Sequence, residues 1–80
     1  MNKKILIEIF GWYGALAIMS AYCLNSFSFI SVDDLSYQLL NVTGALGMIA
    51  ISYYKQTYQP LAINILWVLI GGLALVNLLI

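Results

Sequence analysis

Few side chains in this 80-residue chain can do chemistry, and they lie far apart. Six are charged: Lys3, Lys4, Glu8, Asp33, Asp34 and Lys55. Histidine is absent and Cys23 is the single cysteine, so neither an internal disulfide nor a cysteine–histidine metal site is expected. Asp33 and Asp34 have two readings. Ser31-Val32-Asp33-Asp34 fits a capping box at a helix start, and the acidic pair also has the chemistry to bind a cation. The cap is preferred, because acids commonly sit at helix N-termini. Glu8 is spaced to pair with Lys4 one helical turn away. The sequence has no nucleophile–base pair and no phosphate-cradling loop. No enzyme activity, metal or cofactor is therefore expected.

The uncharged polar residues Asn25, Asn41 and Asn64, with Trp67, are more informative, because each interrupts an apolar run. Two roles compete for them. Amides inside apolar helices bond across to neighbouring helices and hold them together. Alternatively, Asn64 and Trp67 line a small-solute pocket with Asn41 across from them, the ring stacking on the solute and the amide orienting it. Packing is the preferred reading.

The elements that carry these residues follow from the gaps between charges. Residues 9–32, 35–54 and 56–80 are uncharged, each gap close to the roughly 20 residues that cross a hydrocarbon core as a helix. The chain is 64% hydrophobic and 8% charged, with mean hydropathy +0.98. Soluble domains carry about 25% charged residues, and a chain this short would need more polar surface than most. The expected fold is therefore all-α: a single integral membrane domain over 1–80, with spans near 8–27, 35–54 and 60–79. Lys3 and Lys4 before an apolar run imitate a signal peptide, but Glu8 breaks the run's start and no small-residue cleavage site follows. The first span is expected to remain uncleaved, with Cys23 as a small packing residue.

The lysines set an expected orientation. All three fall before span one or between spans two and three, which places both sites inside and the C-terminus outside. Trp12, Tyr13, Tyr53, Tyr54 and Tyr58 then mark the inner interface, and Phe27, Phe29 and Tyr37 the outer one. Pro60 belongs in the first turn of span three, where its missing N–H breaks no helical bond. On helical wheels Gly11, Gly14, Ile18, Ala21 and Asn25 share a face of span one. Span two carries Asn41, Gly44, Ala45, Met48 and Ser52 on one face, with Thr43, Gly47 and Ala50 nearly opposite. Asn64, Trp67, Gly71 and Ala74 align in span three. Span two is thus expected to pack on two sides, and Asn25 and Asn41, at similar depth, are candidates for an interhelical hydrogen bond.

The segments FGWYGALAI (10–18), AYCLNSF (21–27), YQLLNVTGALG (37–47), YYKQTYQP (53–60) and NILW (64–67) resemble a family of small, uncharacterised bacterial multi-pass membrane proteins. That resemblance covers about Ile9 to Leu78 and implies a location in the bacterial inner membrane. More distantly, the three-span length and Asn64 resemble the SemiSWEET sugar transporters, which work as dimers. Their Pro-Gln motif of span one has no counterpart, since the one proline lies in Gln59-Pro60. The expected function is a non-catalytic helix-packing or accessory membrane protein. The alternative is a minimal SemiSWEET-like solute transporter acting as a homo-oligomer. Expected partners are the lipid bilayer and either further copies or another membrane protein. Zero net charge gives no reason to expect nucleic acid.

Overall fold

The computed structural model describes residues 2–80 and contains three helices: α1 (Lys3–Ser26), α2 (Leu35–Tyr54) and α3 (Tyr58–Leu79). At about 1.5 Å per residue, each is long enough for a hydrocarbon core of about 30 Å, and each is apolar enough to cross it. The protein is a three-helix membrane protein.

α1 starts five residues before the expected span, because Asn2 caps it by accepting from the Lys4 amide at 2.9 Å. The expected capping box does not start α2. Ser31 and Asp34 instead close the turn ahead of the helix: Asp34 Oδ2 accepts from the Ser31 amide at 2.8 Å, and Ser31 Oγ from the Asp33 amide at 3.2 Å. With its carboxylate turned back, Asp34 occupies the N-cap position of α2 without a side-chain cap bond. Pro60 falls third in α3, within the first turn, where no intrahelical donor is required.

Both interhelical connections begin with the same device. The Phe29 amide bonds the Leu24 carbonyl and the Ser28 amide that of Asn25, while Ser28 lies at φ 65°. After α2, Thr57 bonds Ser52 and Gln56 bonds Tyr53, with Gln56 at φ 57°. These are Schellman ends in which a residue with a side chain occupies the left-handed position usually given to glycine.

α2 is the middle of the assembly. α1 and α3 each pack along it, and among the described residues no Cα atom of one comes within 8 Å of a Cα atom of the other. The α1–α2 seam is a close approach of backbones: a Cβ on Gly14 would run into the Gly44 carbonyl oxygen, and one on Gly47 into that of Phe10. Small residues permit this proximity, and dispersion between the two backbones rewards it. Gly44 and Gly47 therefore serve the same neighbour, and do not divide between two faces as the wheel predicted. The α3 side of α2 carries Gln38 and Val42, against Gly71.

The exterior suits lipid. Among the described residues no large side chain is fully buried, and Trp12, Leu16, Leu69 and Leu73 are all more than half exposed. The accessible surface is 5688 Å², against about 4800 Å² expected for a compact soluble protein of this mass. Cys23 is exposed as well and is not a packing residue, because the buried stripe of α1 runs through Gly14, Ala17 and Ala21.

Candidate functional site

α1 and α3 flank α2 with their backbones held apart, and an open groove of about 440 Å³ lies between them. Ile18 and Tyr22 of α1 form one wall, Trp67 and Gly71 of α3 the other, and Gln38 and Asn41 of α2 lie between. The polar part of the groove comes from α2. Gln38 is 7% exposed, and its Nε2 donates to the Val32 carbonyl at 2.9 Å. Asn41 Nδ2 donates to the Tyr37 carbonyl, one turn back, also at 2.9 Å. Each amide nitrogen spends one of its two N–H donors on these carbonyls, which leaves each side chain an oxygen acceptor and a second N–H for a group in the groove. Trp67, half exposed, adds an aromatic face and an indole N–H.

Of the four residues singled out from sequence, the structure brings Asn41 and Trp67 to this groove and places the other two elsewhere. Asn25 Nδ2 donates to the Ile30 carbonyl at 3.0 Å, tying down the loop after α1. Asn25 and Asn41 thus each bond a nearby carbonyl, where an interhelical bond between them was expected. Asn64 is buried and its Nδ2 donates to the Pro60 carbonyl at 2.8 Å, on its own helix. Gln38 joins them in the groove without having been expected there. Its signal was a glutamine inside an uncharged segment, close enough to the helix start to pass for an interfacial residue.

Among the described residues two polar side-chain contacts link α1 to α2 and its C-terminal end. Tyr13 of α1 and Thr43 of α2 approach at 2.7 Å, while Thr43 Oγ1 lies 2.6 Å from the Leu39 carbonyl. Threonine has one hydroxyl proton, which goes to Leu39, so Tyr13 donates and a chain Tyr13→Thr43→Leu39 results. Glu8 pairs with Lys55, Oε1 to Nζ 3.1 Å, and not with Lys4. The antiparallel register explains this choice: Gly11 packs on Ile51, and one turn further along the seam Glu8 meets Lys55.

The model of an uncharacterised protein family matches residues 7–80, which include nearly all of α1 and the whole of α2 and α3. The chain belongs to that family. Neither the curated proteins nor the solved structures contain a match to it. The family's matched region includes the glycine seam, the Tyr13–Thr43 contact and every residue of the groove named above.

Proposed function

We propose that this protein is a non-catalytic helix-packing or accessory protein of the bacterial inner membrane, oriented N-in and C-out. It works with further copies of itself or with a partner membrane protein, and it uses no cofactor. One observation carries this reading: among the described residues every side-chain nitrogen or oxygen atom fully shielded from solvent has a hydrogen-bond partner within the chain. Polar groups in lipid are being used to complete helices and turns, which is what packing requires. The three lysines at one end and Asp33 and Asp34 at the other support the orientation. The separation of α1 from α3 supports assembly, since it leaves part of α2 accessible between them.

The groove favours a second reading, a SemiSWEET-like carrier of small solutes assembled from two or more copies. Gln38, Asn41 and Trp67 supply acceptors and a stacking surface there. Subunit count by native mass spectrometry from nanodiscs, across protein-to-lipid ratios, is the first test. A stable dimer or larger ring is the expected result, and a persistent monomer would remove self-assembly and leave a partner protein. In an oligomer, loss of solute uptake in Asn41→Leu and Trp67→Ala with assembly intact would favour the carrier; an unchanged membrane phenotype would favour packing.

A further inference from the structure

The charges divide between the two ends of the molecule. Lys3, Lys4, Glu8 and Lys55 lie towards one end, and Asp33 and Asp34 at the other. At the cationic end a cavity of about 330 Å³ opens where the helix ends converge. Lys3 of α1, Tyr53 and Tyr54 of α2 and Tyr58 of α3 line it, together with the apolar Ile7 and Ala50. Glu8 is engaged by Lys55, so one lysine of the three is neutralised locally. Lys3 has no carboxylate within ion-pair distance among the described residues.

We propose that this cavity binds the phosphate headgroup of an anionic phospholipid. The ammonium of Lys3 meets the phosphate oxygens, and the tyrosine hydroxyls supply further donors. Ile7 and Ala50 offer an apolar surface to the start of an acyl chain, which a free anion lacks. The headgroup's net charge matters, because the ammonium of a zwitterionic lipid would be repelled by Lys3 while a glycerol headgroup would not. Basic pockets between helices at a membrane surface are suited to such lipids, and each lysine near the surface contributes about fivefold in affinity. Tyrosines at this level also sit where their rings favour the interface. The site depends on membrane insertion alone and is independent of subunit number or transport.

The test is native mass spectrometry of the protein from nanodiscs of equimolar phosphatidylglycerol and phosphatidylcholine, counting the lipids retained. Wild type should retain phosphatidylglycerol preferentially. Lys3→Gln should lower that preference about fivefold, and Lys3→Arg should keep it. Lys4→Gln removes the same charge from outside the cavity and should leave most of the preference. Circular dichroism confirms that each variant is helical, as expected for exposed positions. Equal retention of both lipids by wild type would overturn the proposal. Equal losses in Lys3→Gln and Lys4→Gln would also overturn it, by reducing the effect to diffuse surface charge. Displacement of the retained lipid by inorganic phosphate would overturn the lipid assignment and leave a site for the free anion.

Discussion

Gly14 of α1 and Gly44 of α2 meet backbone to backbone, with no room for a side chain on Gly14 before the Gly44 carbonyl. Gly72 on α3 provides the comparison, since a Cβ there would meet nothing within 4 Å. Gly14→Ala should destabilise the fold by about 1–3 kcal/mol, because the obstacle is backbone and cannot rotate away. Gly72→Ala should leave stability unchanged or raise it by up to about 1 kcal/mol, since alanine favours the helix and its Cβ meets nothing. Reversible unfolding in mixed micelles measures both, and equal effects would refute the seam.

The Tyr13–Thr43 bond fixes the rotation of α1 against α2. Tyr13→Phe should cost about 0.6 kcal/mol, a typical value for an interhelical bond in a membrane protein. Thr43→Val removes the same partner, so a double-mutant cycle should show that the two losses do not add. Additive losses would mean the hydroxyls do not interact.

Glu8 and Lys55 remain partly open to water, with 34% and 55% of their side-chain surfaces accessible. Their pairing should therefore contribute between about 0.2 and 1 kcal/mol and weaken as salt is raised. Glu8→Gln, compared with wild type in low and high salt, tests this. A difference that survives at 1 M salt, where the screening length is about 3 Å, would contradict it.

Ser28 carries a side chain in the left-handed region at φ 65°, a conformation glycine adopts without the steric penalty. Ser28→Gly should leave stability unchanged or raise it by up to about 1 kcal/mol, and Ser28→Val should lower it, because a β-branched residue is strained there. A stabilising valine would show that the turn takes another form.

Reporters fused to the two termini should give opposite readings: the N-terminus inside and the C-terminus outside. An N-terminus and C-terminus on the same side would also contradict three spans.

The sequence alone determined the class of the molecule. Three uncharged intervals of bilayer-crossing length leave no soluble alternative for a chain with so few charges, and α2 was bounded correctly at both ends because charge and turn residues flank it. It also showed that α2 must pack on two sides, since small and polar residues occur around much of its circumference. Tertiary structure decided which neighbour each residue serves. Gly44 and Gly47 both face α1, Glu8 takes Lys55 over Lys4, and Asn25 holds a loop where a helix partner was expected. A helical wheel gives the direction of a side chain but not the height or identity of what stands opposite. An amide can satisfy itself on a carbonyl one turn away as readily as on another helix, and only the positions of the backbones settle that choice. Gln38 became visible in the same way: its place beside Gly71, in a groove that α1 and α3 leave open, depends on three helices at once.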